Sequence, residues 1–271
     1  MNIDKYKRYK LKENISNPDP TIKNALLLLI VIITFNIIVF TIMQFALKIF
    51  RKKDFYLTKK LRKITNDDRI EVYKISSKTP NAFNAGTPAL YYFDGLQKTL
   101  KLKENEVIAI LLHEYHHYNK KHVLKSSIAN VTLNWVILSI LYKYLGPIGF
   151  DFYLRLVHIF PWAPHKIIHA YAIGRPFEYA ADTYAAKMGY GKELARSLIK
   201  LHKYVENEVC KNLSKRYKTA CKVLLNVQGK FDEHPEVHKR VENILETHKK
   251  YIKNAPLKTL MRIKKDIKSL I

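Results

Sequence analysis

ENEVIAILLHEYHHYNKKH, residues 104–122, is the stretch from which the rest of the chain can be read. Glu104 and Glu106 suit the first turn of a helix, where carboxylates face the positive end of its dipole. Val107, Ile108, Ile110, Leu111 and Leu112 then give a broad apolar face, which predicts a buried helix. His113 and His117 stand four residues apart, and side chains at that spacing stack on one face. Two imidazoles so placed can bind one zinc ion, with Glu114 between them in reach of a water on the metal. A His-rich surface helix would read the same way, so a further ligand has to be found.

A catalytic zinc needs a third protein ligand and one open position. The extended pattern H-E-x-x-H-x-x-G-x-x-H is excluded, because Lys120 stands in place of the Gly and Val123 in place of the last His. The other solution takes a Glu from a separate, later helix. Residues 175–182 read Arg-Pro-Phe-Glu-Tyr-Ala-Ala-Asp, with Pro176 suited to a first helical position and Gly189 to the stop. Glu178 and Asp182 share one face. Glu178 would ligate the metal and Asp182 would accept a hydrogen bond from the outer nitrogen of a ligand His. Solvated surface carboxylates are the plain alternative, but Ala180, Ala181, Ala185 and Ala186 favour close packing against another helix.

With these residues in hand, the chain resembles the HtpX-like and CAAX-prenyl-endopeptidase-like membrane zinc metallopeptidases, of the gluzincin type. The resemblance covers roughly residues 79–240 in four ordered parts. Residues 80–86, Pro-Asn-Ala-Phe-Asn-Ala-Gly, look like the family's substrate-side strand segment. His113, Glu114 and His117 match its zinc motif, and Glu178 with Asp182 its third-ligand helix. His234-Pro235 followed by Arg240 is similar to its late His-Pro…Arg element. HtpX-like members usually carry two membrane spans before the catalytic region, whereas one is evident here. The fold class implied is mainly α with a small β-sheet, an α+β zincin-like catalytic domain anchored in a membrane.

The chain of 271 residues carries 48 Lys and Arg against 23 Asp and Glu, a net charge of +25. That balance points to nucleic acid, an anionic membrane surface, or solubility alone. Cys210 and Cys221 have no metal-like spacing and read as reduced thiols. Residues 1–24 form a polar basic tail, and residues 25–47 run for 23 positions without a charge, long enough to cross a bilayer as a helix. Residues 10–24 hold three Lys, while residues 48–63 hold eight Lys and Arg. The positive-inside tendency therefore predicts an integral protein of the cell membrane with its catalytic domain facing the cytoplasm.

Residues 48–271 are read as the zinc metallopeptidase domain. Residues 70–75 alternate apolar and polar side chains as a strand does, and residues 83–86 and 89–93 read as further short strands. An extended substrate can add to the edge of such a sheet by main-chain hydrogen bonds. Asn81 and Ala82 are assigned to that edge, an ordinary turn being the alternative. Residues 126–142 lack a charge, Gly146-Pro147 makes a turn, and the return segment contains Asp151, Arg155 and His158. The family inserts a hydrophobic helical pair here, so residues 126–163 are read as a membrane-embedded hairpin rather than a buried core pair. Helical apolar spacing continues over 193–210 and 214–227, and the basic tail carries an amphipathic stripe suited to anionic lipid.

Together these residues imply one zinc per chain held by His113, His117 and Glu178, with Glu114 as general base in peptide hydrolysis. His234, Arg240 and Tyr179 are candidates for stabilising the oxyanion, although a structural His-Pro turn explains the first two as well. The partners implied are a protein or peptide substrate and membrane lipid. Quality control of membrane proteins is the expected role, with processing of CAAX proteins as an enzyme alternative. A basic membrane-anchored scaffold, or a nucleic-acid- or lipid-binding protein, is the non-enzymatic alternative. No nucleic acid is expected, since the chain has no recognisable nucleic-acid motif.

Overall fold

The computed structural model describes residues 20–159, 164–211 and 234–251. The tail before residue 20, Cys221, the helix expected over 214–227 and most of the basic C-terminal tail lie outside the described residues. Helix α1, Pro20–Phe50, starts before the expected 25 because Pro20 fits a first turn and nothing after it breaks a helix. Two compact units are formed, one taking in α1 as far as Met43 together with Ser127–Lys166, the other the remainder.

In the first unit Ile30, Ile37, Phe40 and Ile42 of α1 are exposed. Helix α5, His122–Ile159, contributes its length from Ser127 onward and is broken at Gly146, where φ is 61 and ψ is −157. Glycine takes that combination without strain and other residues do not. The turn expected at Gly146 is seen as a kink in the helix at that residue. The limb His122–Gly146, with mean hydropathy 1.4, is the one helix among the described residues long and apolar enough to cross a membrane. Leu124, Ile128, Val136, Ile140 and Tyr144 on it are exposed, unlike the side chains of a core helix.

The second unit is built on a four-stranded mixed sheet of order β1-β2-β4-β3. The strands are β1 Arg51–Lys53, β2 Glu71–Ile75, β3 Ala82–Asn84 and β4 Ala89–Phe93. β2 runs parallel to β4, and both outer pairings are antiparallel. Strand β1 has no counterpart in the sequence reading, since three cationic residues carry no strand signal. Val72, Leu90 and Tyr92 point to the main core, while Tyr73, Ile75, Ala89 and Tyr91 form a second cluster. That split follows from the two-residue period of a strand.

Helix α2, Phe55–Thr65, is capped by Asp54, whose carboxylate accepts from the Leu57 N–H at 2.9 Å. A short helix α3, Gly95–Lys98, precedes α4, Glu104–Asn119. Helix α6, Pro164–His169, leads through a π-helical turn into α7, Arg175–Ala185. A second π-helical turn at Ala186–Tyr190 leads into α8, Gly191–Cys210. Helix α9 is Val237–Tyr251. The core joins one sheet face to α4, α8 and α9 through Val107, Ile108, Leu111, Leu112, Leu194, Val241 and Ile244.

Candidate metal centre

Helix α4 is sunk by its apolar run and fixed at its start by Glu106. That buried carboxylate accepts from the Lys103 N–H at 2.8 Å and pairs with Lys200 of α8 at 2.8 Å. The helix ends at Asn119 rather than continuing to His122, because Lys121 takes a left-handed φ of 55 that turns the chain. Helix α7 lies against α4, and the absence of bulk at Ala181 and Ala185, both fully buried, lets the backbones approach. Ala186 is also buried, whereas Ala180 is half-buried.

That packing brings together the three ligands expected from the sequence. His113 Nε2 and His117 Nε2 are 3.1 Å apart. Glu178 Oε2 is 3.5 Å from the first and Glu178 Oε1 is 3.3 Å from the second. Bonds of about 2.0–2.1 Å to a tetrahedral zinc would separate neighbouring ligand atoms by about 3.3–3.4 Å. Two imidazoles and a carboxylate at these separations fit a borderline divalent ion such as zinc.

The surroundings hold these side chains in place. His113 Nδ1 is 2.9 Å from Asp182 Oδ1, so Asp182 meets the outer nitrogen of His113 in particular. Arg240, on α9, donates from Nε to Asp182 Oδ2 at 2.8 Å and from Nη2 to Oδ1 at 2.7 Å. Its Nη1 lies 3.0 Å from Glu178 Oε2, so all three groups are directed at carboxylate oxygens. His234 Nδ1 also lies 3.0 Å from Glu178 Oε2, and its side chain is largely exposed. Glu114 is half-buried on the ligand face of α4. Tyr179 is half-buried on α7.

The electrostatics are those of a compressed ionic cluster. Burial disfavours the charged form of His113, but Glu178 and Asp182 outweigh it and carry the imidazole's pKa up to about 10. Burial alone would raise Glu178, yet Arg240 and His113 hold it well below the ordinary carboxylate range. Asp182 is lowered by Arg240 and His113 against the same desolvation. Burial pushes Glu114 the other way, above its usual value, against the pull of His113 and His117.

Asn81 and Ala82 fall at the outer strand β3, which pairs with the sheet on one side only. The Phe93 N–H donates to the Asn81 carbonyl at 2.8 Å, and the register matches Ala82 to Tyr92 and Phe83 to Tyr91. Antiparallel pairs alternate, so the main-chain groups of Ala82 point away from β4. The Asn81 side chain accepts from the Ala82 N–H at 2.9 Å. Strand β3 packs against α4, which puts this edge beside the ligand helix.

Two contacts had no counterpart in the sequence reading. His122 Nδ1 lies 3.1 Å from His117 Nδ1, and Ser126 Oγ lies 2.8 Å from His169 Nε2. A spacing of five residues carries no helical signal, so only the turn at Lys121 could have revealed the first.

The profile of peptidase family M48 matches residues 58–248. The chain is 26% identical over 169 residues to the CAAX prenyl protease 1 homolog of Mus musculus, covering 54% of this chain and 35% of that protein. It is 28% identical over 116 residues to the CAAX prenyl protease 1 homolog of Homo sapiens, covering 37% and 24%. The chain thus spans about a third or less of the length of these curated relatives. The crystal structure of S. mikatae Ste24p is similar with a TM-score of 0.57 at 22% identity, covering 89% of this chain and 65% of that one, a likeness of fold.

Proposed function

The chain belongs to peptidase family M48, and we propose that it is a membrane-bound zinc endopeptidase that cuts protein chains in the quality control of membrane proteins. The observation that carries this reading is the convergence of His113, His117 and Glu178, the two Nε2 atoms 3.1 Å apart, Glu178 Oε2 3.5 Å from the first and Oε1 3.3 Å from the second. Zinc held there supplies a Lewis acid for the peptide carbonyl and lowers the pKa of a water to about 7. Glu114 takes the proton of the attacking water and delivers it to the leaving amine nitrogen. Burial raises its pKa, which favours taking up that proton.

His234, largely exposed and with Nδ1 facing Glu178, is the oxyanion donor we favour over Arg240, which is buried with all three of its donor groups on carboxylates. Arg240 is instead assigned to anchoring Glu178 and Asp182, because its donors already face their oxygens. Tyr179 leaves α7 about 100° around from Glu178, which makes it the weakest of the three. The substrate lies extended along β3, bonded through the main chain of Ala82 with Asn81 beside it. Recognition through main-chain groups tolerates varied sequences, as a quality-control enzyme requires.

Residues 1–24 are taken as a tail, 25–47 as a transmembrane helix, 48–271 as the peptidase domain and 126–163 as a membrane hairpin. The exposed apolar side chains of α1 and of the first limb of α5 support that division. Cations after the first span favour a catalytic domain facing the cytoplasm. Lipid and a protein substrate are then the partners. Similarity to the CAAX prenyl protease 1 homologs supports a second reading, the processing of prenylated CAAX proteins.

Glu114→Gln tests the proposal. The variant should keep its zinc yet lose cleavage of an unfolded membrane protein, and ordinary activity in it would end the general-base assignment. Offering wild-type enzyme a prenylated CAAX peptide beside that substrate separates the two readings. Efficient cleavage of the peptide alone would favour the second.

A further inference from the structure

We infer that His122 is a positioning residue of the metal site, accepting a hydrogen bond from His117 Nδ1–H and bracing both ligand-bearing helices through one ring. The inference rests on reading His113, His117 and Glu178 as metal ligands. A ligand His usually donates its outer N–H to a nearby acceptor, which fixes its tautomer and ring orientation. His113 has Asp182 for this, at 2.9 Å. Among the described residues His117 has no carboxylate in that place; its Nδ1 faces His122 Nδ1 at 3.1 Å. The two rings stand at 74° to each other with centroids 5.1 Å apart, an edge-on approach that suits an in-plane N–H. With His117 binding metal through Nε2, its proton sits on Nδ1, so His122 must offer a lone pair at Nδ1 and carry its own proton on Nε2.

Local backbone geometry builds this contact. Five positions along a straight helix would put residue 122 about 140° around from residue 117. The left-handed φ of 55 at Lys121 ends α4 and swings His122 back. The His122 ring is 5% exposed and lies flat on Phe177, with centroids 3.9 Å apart and planes 3° apart. Phe177 immediately precedes Glu178 on α7, so the ring that orients one ligand on α4 also packs on the residue next to the ligand from α7.

His122→Asn and His122→Leu provide the test, because their side chains share the same skeleton branched at Cγ and both lose the stack on Phe177. The amide oxygen of Asn can stand where Nδ1 stood, whereas Leu offers no acceptor. Full-length protein in detergent is purified with zinc, mixed with excess chelator, and the loss of zinc is followed with a metal indicator. The Leu variant should release zinc at least about tenfold faster than the Asn variant, the usual scale for losing an outer-shell partner. Melting of the metal-stripped forms should be alike for the two. Equal release from both overturns the inference while leaving the metal site intact. If the Leu variant does not fold, zinc loss from the Asn variant as fast as from His117→Ala overturns it. Absence of zinc from wild type, or full retention by Glu178→Ala, would sink the underlying metal-site reading instead.

Discussion

Arg240→Met strips the buried ionic cluster of its permanent cation while keeping much of the side chain's volume. The guanidinium is 6% exposed, Asp182 is 0% exposed and Glu178 is 7% exposed. Without Arg240 the two carboxylates lose a bidentate pair at 2.8 and 2.7 Å and a third contact at 3.0 Å. Removing one partner of a buried ion pair costs about 3–5 kcal/mol, because the remaining charge has no compensation. At roughly 2–4 °C per kcal/mol for a unit of this size, the metal-stripped protein should melt about 6–20 °C lower.

The sign with pH is also fixed. Carboxylates whose folded pKa is lowered add stability above their unfolded pKa, and that stability is lost as pH falls through the folded pKa. Glu178 and Asp182 are both lowered, chiefly by Arg240, so wild type should hold its melting temperature into the acidic range and the variant should lose it at higher pH. Near-ultraviolet dichroism of detergent-solubilised, metal-stripped protein reads both effects. Asp182→Asn combined with Arg240→Met should cost less than the two single changes added. A single Arg240→Met variant melting within about 2 °C of wild type would refute the reasoning, since its cost would then be under about 1 kcal/mol.

Three further outcomes are expected. Metal-free His113 carries a pKa of about 10, so at neutral pH zinc must displace a proton from it. Titration calorimetry in buffers of different ionisation enthalpy should show proton release on zinc binding, and a buffer-independent heat would contradict this. Gly95→Ala should lower stability by about 1–3 kcal/mol, because a Cβ there would meet the Lys78 and Thr79 carbonyl oxygens at 2.4 and 2.6 Å; unchanged thermal melting is the contrary result. Ala82→Pro removes an edge N–H, one that donates to the Asn81 side chain and that a substrate carbonyl would take over, without disturbing the pairing side of β3. It should lower kcat/KM for protein substrate about tenfold, the worth of roughly one hydrogen bond, with zinc content unchanged. Unaltered kinetics would remove β3 from the substrate path.

Much of the second unit was legible because local pattern and tertiary need coincide. The apolar run before His113 marks a buried helix, and the alternation over 70–75 marks a strand, observed as Glu71–Ile75 with Val72 buried on one face and Tyr73 and Ile75 on the other. Glu178 and Asp182 were readable from Pro176 and the small residues after them, because these specify a helix start and a close approach. Long-range consequences were not readable. Arg240 is one of three oxyanion candidates in the sequence, with a structural His-Pro turn as its other explanation, yet sequence gives no sign that its fork points at two carboxylates some sixty residues away. Strand β1 is set by pairing with β2, not by its own residues. The contact of His122 with His117 depends on the φ of Lys121, and lysine gives no hint of a left-handed turn.

Zinc analysis of the purified full-length chain beside Glu178→Ala and His113→Ala tests most directly that two helices converge on one ion. Wild type should carry about one zinc per chain and each variant far less, while melting of the stripped proteins shows that the variants remain folded. Wild type without zinc, or a folded Glu178→Ala variant that keeps its full complement, would contradict it.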